Sequence, residues 1–148
     1  MVDTTMTNPS LPRLLFNAFR WFDDALRQSL AARNLPSLTY SQSLVMSSLT
    51  TKGVRISEIA RRLDMTRQGA QKTVAGLETA GLVYTETDPS NSSAKIVRLT
   101  KLGFNTFEVA QDIFEQLERE LARRVGGPNV TAMRGTLEQH WGDPPKAG

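Results

Sequence analysis

Between Pro12 and Arg33, Leu15, Phe19, Phe22, Leu26 and Leu30 recur at three or four residues and Phe16 widens the stripe. That period predicts an amphipathic helix of about five turns, ended by Pro36. Thr39-Tyr40-Ser41-Gln42 has the form of a capping box and opens a second helix through Leu49. Ser57 is expected to cap a third helix, with Ile59, Ala60 and Leu63 inward. A short turn at Asp64-Met65 leads to Thr66, the cap of a fourth helix with Ala70, Thr73, Val74 and Leu77 inward; it closes at Ala80-Gly81, where glycine suits a left-handed cap. Two runs rich in Val, Ile, Thr and Tyr follow, Leu82 to Thr87 and Lys95 to Leu99, and read as a hairpin with the long polar tip Asp88 to Ala94. Thr100 then caps a fifth helix to about Val125. Its apolar positions Phe107, Ala110, Phe114, Leu117 and Leu121 form a heptad-like seam. Gly126-Gly127-Pro128 breaks that helix, and Val130 to Trp141 predicts a short last one.

Composition removes several chemistries. There is no cysteine and one histidine, His140, so disulfides, thiolate metal sites, a cysteine nucleophile and a Ser-His-Asp triad are poorly provided for. No metal site, cofactor or catalytic residue is expected, and the chain does not read as an enzyme. No apolar stretch of about 20 residues occurs, which predicts neither a signal peptide nor a membrane partner and makes the cytoplasm the expected location. The net charge is +3, and its position is informative: Arg55 to Lys101 holds eight bases and five acids, so the excess lies in the centre of the chain.

Two short helices joined by a tight turn, the second running into a β-hairpin, make a helix-turn-helix with a wing. The fold class expected is mostly α with a small β-hairpin wing. With Ala70, Val74 and Leu77 inward, the first outward positions of the fourth helix are Arg67, Gln68, Gln71 and Lys72. Arg and Lys donate to guanine O6 and N7, and Gln addresses adenine N6 and N7, so these side chains suit the major groove of double-stranded DNA. Thr66 at the head of that helix, Arg61 and Arg62 on the preceding one, and Lys95 and Arg98 on the hairpin complete the expected DNA-binding set, the last four as phosphate contacts.

The motifs Leu38-Thr39-Tyr40-Ser41-Gln42, Ile59-Ala60-Arg61-Arg62-Leu63, Leu77 to Val83, Asp88-Pro89 and Val97-Arg98-Leu99-Thr100-Lys101-Leu102-Gly103 stand in an order and spacing that resembles the MarR-type family of bacterial transcriptional regulators, over roughly Leu11 to Trp141. The resemblance implies a winged-helix lobe at 38–100 flanked by dimerisation helices at 11–37 and 101–141; residues 1–10, polar without a period, and 142–148, with two prolines and two glycines, read as mobile tails. It also implies an obligate homodimer on a pseudo-palindromic operator, usually repressing nearby genes and often released by a small-molecule effector. Family wings commonly carry Asp-Arg-Arg, whose Arg enters the minor groove; the matching residues are Asn91-Ser92-Ser93.

Several residues admit plainer roles. Phe16, Phe19, Phe107, Phe114, Leu117 and Leu121 are the expected dimerisation residues, although such a seam also serves as ordinary core. Phe16, Trp21, Tyr40 and Met46 are the expected effector pocket, near the junction of the first, second and fifth helices, while aromatics and Met at helical spacing are more often core. The weakened wing keeps a second reading open: a winged-helix dimer that binds a protein or a ligand and has lost strong DNA readout.

Overall fold

The computed structural model describes residues 8–49 and 51–148; the part of the expected N-terminal tail at residues 1–7 lies outside them. Among the described residues nine elements follow in order: α1 (Leu11–Ala32), α2 (Tyr40–Ser48), β1 (Val54–Arg55), α3 (Ile56–Arg62), α4 (Arg67–Thr79), β2 (Val83–Asp88), β3 (Asn91–Leu99), α5 (Lys101–Val125) and α6 (Gly127–Glu138). The three strands form an antiparallel sheet in the order β1-β3-β2. Six helices with this small sheet make an α+β winged helix. Contacts divide the chain into two compact units, Met1–Ile113 and Phe114–Gly148.

The caps act as their sequence suggests. Thr39 Oγ1 accepts from Gln42 N at 3.2 Å while Thr39 N donates to Gln42 Oε1 at 2.9 Å, the reciprocal bonds of a capping box. Thr66 Oγ1 accepts from Gly69 N at 2.9 Å and opens α4; Thr100 Oγ1 accepts from Gly103 N at 3.0 Å and opens α5. Three expectations are corrected. Ser57 is the second residue of α3 and does not cap it: Arg55 stands at the cap, and its side chain makes no capping bond to the helix. The wing's turn is Pro89-Ser90 alone, since residues 91–94 belong to β3; their polarity reads as loop, but Asn91 pairs with Asp88 across a register irregularity. Pro128 starts α6 instead of ending α5, because a proline suits the first turn of a helix, where no amide hydrogen bond is lost; the break itself is Gly126, at φ 97°.

In the first unit, Ile59, Val74, Leu77, Leu82, Val83 and Val97 interlock with Leu38, Val45, Met46 and Val54. Each such side chain removed from water contributes roughly 1.5–3 kcal/mol. Two glycines set how closely elements pass. A Cβ on Gly76 of α4 would lie 2.9 Å from Gln42 Nε2 of α2, and one on Gly103 of α5 would lie 1.8 Å from the carbonyl oxygen of Leu82. α1 buries Leu26 and Leu30 but leaves Leu11, Leu14, Phe16 and Phe19 exposed.

In the second unit, Arg123 and Arg124 share Glu120, Arg134 bonds Glu118, and the Trp141 ring nitrogen donates to the Thr136 carbonyl at 2.9 Å. α6 buries no residue, and Met133, Leu137 and Trp141 are exposed.

The Gly103 contact yields a direct expectation. Gly103→Ala forces a methyl into a backbone carbonyl that cannot move aside as a side chain would, and should lower unfolding free energy by at least about 1–3 kcal/mol in denaturant titration.

Candidate nucleic-acid interface

α3 and α4 are joined by a turn that fixes their angle. Leu63 ends α3, Met65 N donates to the Ala60 carbonyl at 2.9 Å, and Asp64 takes a positive φ of 50°. Aspartate tolerates this left-handed conformation better than branched or bulky residues do. The chain then reaches Thr66, whose cap fixes where α4 begins.

Ala70, Val74 and Leu77 of α4 are buried in the lobe. Arg67, Gln68, Gln71 and Lys72 are all exposed, in the outward positions that the spacing predicts. Neither Arg67 nor Lys72 has an ion pair or hydrogen bond among the described residues, so their donors are available. Arg61 and Arg62 are engaged by Glu58: Arg61 forks onto both carboxylate oxygens, with Nε–Oε2 at 2.9 Å and Nη2–Oε1 at 2.6 Å, and Arg62 Nε donates to Oε1 at 2.8 Å. Hydrogen bonds from Arg61 first and Arg62 second pull the Glu58 carboxyl down to about 2.

The wing is also internally bonded. Arg98 of β3 is tied to Glu86 and donates to the Lys52 carbonyl at 2.7 Å, so it braces the base of the wing. The Glu86 hydrogen bond is the main cause of the raised pKa of its guanidinium. Lys95 is exposed and donates to Thr87 Oγ1 at 3.0 Å. Asn91 Oδ1 accepts from the Ser93 amide at 3.1 Å and from the Ser93 hydroxyl at 2.7 Å. At the turn, buried Asp88 accepts from the Ser90 amide at 2.9 Å, the Ser90 hydroxyl at 2.8 Å and Arg55 Nε at 2.6 Å. These bonds, the Ser90 amide first, hold its carboxyl below the usual carboxylate range.

Between α4 and β3 lies a polar cleft of about 270 Å³, to which Arg67, Gln71, Ser93 and Lys95 all contribute. The structure thus brings Arg67 and Gln71 of α4 together with Lys95, while Gln68 and Lys72 do not line this cleft. Arg55, which also lines this cleft, had no sequence signal: β1 is two residues long, too short for a period, and its partner Asp88 is 33 residues away.

The expected effector pocket is not assembled as a set. Met46 is 3% exposed inside the lobe core, so it cannot line an open pocket. Phe19 meets Tyr40 edge-on at 5.0 Å, Trp21 meets Phe22 edge-on at 4.9 Å, and Phe16 is exposed. A cavity of about 470 Å³ lies instead among Leu49, Tyr84, Leu99, Phe104 and Phe107, with Arg98 and Lys101 also in its lining. Phe107, expected in the dimerisation seam, packs against the lobe core; Phe114, Leu117 and Leu121 are half-buried in or beside α5's second half.

Residues 37–92 match the model of the MarR family. The chain is similar in fold to the transcriptional repressor CouR bound to a 23-mer DNA duplex, with a TM-score of 0.74, 24% identity, and coverage of 93% of this chain and 96% of that one. It is similar to MarR at a TM-score of 0.72 and 22% identity, covering 87% of this chain and 93% of that one. A MepR–DNA complex from S. aureus matches at a TM-score of 0.69 and 20% identity, over 88% of this chain and 95% of that one. None of the curated proteins compared matches the chain.

The Glu58 fork is open to measurement. Carbon NMR should place its titration midpoint near 2, and Arg61→Ala should move it towards the ordinary value. A carboxyl depressed in the folded state stabilises the fold above its unfolded pKa, and that contribution fades as pH falls through the folded value. Glu58→Gln should therefore be less stable than wild type at neutral pH and converge with it near pH 2.

Proposed function

For a chain with a MarR-family segment at residues 37–92 and the fold of that family's regulators, we propose the function of a homodimeric, sequence-specific double-stranded DNA-binding transcriptional regulator, a repressor relieved by a small-molecule effector. The observation that carries this reading is the outward face of α4. Arg67, Gln68, Gln71 and Lys72 stand exposed in its first two turns, on a helix whose opposite side is buried. Such a helix enters a major groove with its base-reading donors and acceptors forward.

Dimerisation is supported by apolar side chains left exposed: Leu11, Leu14, Phe16 and Phe19 of α1, and Met133, Leu137 and Trp141 at the other end of the chain. Exposed apolar groups in such number mark a protein contact. A two-fold dimer presents two α4 helices about 34 Å apart, one helical turn of DNA, and so prefers a pseudo-palindrome. Bound there, it represses by occupying promoter DNA. An effector relieves repression only by binding the DNA-incompetent arrangement more tightly than the competent one. We place it in the cavity beside Phe104 and Phe107, whose apolar walls and cationic residues Arg98 and Lys101 suit an aromatic anion. Among the described residues no helix is long and apolar enough to cross a membrane, in keeping with action on DNA in the cytoplasm.

A second reading rests on the wing. Asn91 and Ser93 bond each other and Arg98 is held by Glu86, which leaves Lys95 as the wing's exposed cation. A winged-helix dimer that has lost DNA readout and binds a protein or ligand would look the same there.

DNA selected from a random library and measured by fluorescence anisotropy against a scrambled duplex decides between them. Arg67→Ala should weaken binding to the selected site by about 1–3 kcal/mol and relax one base position, and Gln71→Ala should relax a different one. Wild-type protein that prefers no duplex and shows no salt-dependent binding would favour the second reading.

A further inference from the structure

We propose that Arg55, mounted on buried Asp88, is a DNA-backbone contact that grips a phosphate in the cleft between α4 and the wing. This rests on the DNA-binding reading above. β1 sets Arg55 opposite Ile96 of β3, and its side chain crosses to the end of β2. There Nε meets Asp88 Oδ2 at 2.6 Å and Nη2 meets the same oxygen at 2.5 Å, while Nη2 also donates to Ser90 Oγ at 3.2 Å. The two partners differ in exposure: the Asp88 side chain is 6% accessible and that of Arg55 46%. The pair is formally neutral, but its carboxylate faces the protein and is further satisfied by Ser90, whereas the guanidinium faces water.

The cleft beside it supplies the rest of an anion site. Its lining includes Arg55, Ser57, Arg67, Gln71 and Lys95 and contains no acidic residue. Three cations and several neutral donors line one groove. A flexible cation loses rotamer freedom when it binds, and the bonds to Asp88 and Ser90 remove that freedom before DNA arrives. Nη1 has no partner among the described residues and remains to donate to a phosphate oxygen. Backbone contacts of this kind set position and salt dependence without reading sequence.

The test uses the full-length chain and two duplexes, one selected by the wild type from a random library and one scrambled, across about 50 to 200 mM salt. Arg55→Ala removes one contact from each protomer of the dimer and should lower the slope of log affinity against log salt by about 1.8 on both duplexes, so that affinity falls about 12-fold less over that range than for wild type. The preference between duplexes should stay unchanged, unlike in Arg67→Ala. Asp88→Ala distinguishes contact from scaffolding: it should keep the wild-type slope, since Arg55 retains its charge. If Arg55 only tied down the wing, Arg55→Ala and Asp88→Ala would weaken binding alike with the slope unaltered, and the proposal would be wrong. Should Arg55→Ala melt early by circular dichroism, Arg55→Lys is scanned against duplexes carrying single neutral methylphosphonates. The wild type should lose more affinity than Arg55→Lys at one phosphate, and an identical scan overturns the contact. Wild-type protein that binds neither duplex in a salt-dependent way overturns both this inference and the DNA-binding reading, whereas normal wild-type binding with an unchanged Arg55→Ala slope overturns only this one.

Discussion

A helix can hold side chains out towards a partner only if its other side is held fast, and the seating of α4 in the lobe is the constraint on which the interface depends. Ala70, Val74 and Leu77 are at most 1% exposed, a continuous buried stripe along the helix. Gly76 lets α4 pass so close to α2 that a methyl there would press on the Gln42 amide. Gln42 is itself fixed, because its oxygen closes the capping box with Thr39. At the front, Thr66 sets the first turn. The rotation of α4 about its axis, and with it the direction of Arg67 and Gln71, is thus settled by apolar packing and two caps without any charged group.

Charge is arranged so that four of the eight cations between Arg55 and Lys101 are held by carboxylates. Glu58 occupies two arginines, Glu86 one and Asp88 one. The pairs on Glu58 and Glu86 are exposed, and exposed pairs add little stability in water. Their larger effect is to leave the unpaired positive charge on the first two turns of α4 and in the neighbouring cleft, whose lining holds no carboxylate.

The helices were legible wherever a period of three to four ran for at least two turns behind a capping residue: α1, α2, α4 and α5 begin and end within a residue or two of expectation. The outward α4 residues followed at once, since naming the buried stripe names its opposite. What failed was short or relational. β1 has two residues and no period of its own; it exists because Val54 and Arg55 pair with Val97 and Ile96. The wing tip reads as a loop because Asn and Ser favour turns; of residues 91–94 it is Asn91 that pairs with β2, opposite Asp88. Met46 looked like a pocket residue because the sequence shows a side chain's type and helical position but not which neighbours close over it. The same limit hid the use of Glu58 by Arg61 and Arg62 and the crossing from Arg55 to Asp88.

Near Gly81 four elements meet in a few ångströms: the Thr100 hydroxyl donates to the Gly81 carbonyl at 2.5 Å, the Thr100 amide donates to the Leu82 carbonyl at 3.0 Å, and Gly103 rests on that same carbonyl. The end of α4, both strands of the hairpin and the head of α5 are therefore one mechanical joint with no soft linker inside it. The first turns of α5 and the end of α4 are thus coupled through direct backbone contacts, and the cavity beside Phe104 and Phe107 adjoins the α5 side of that joint.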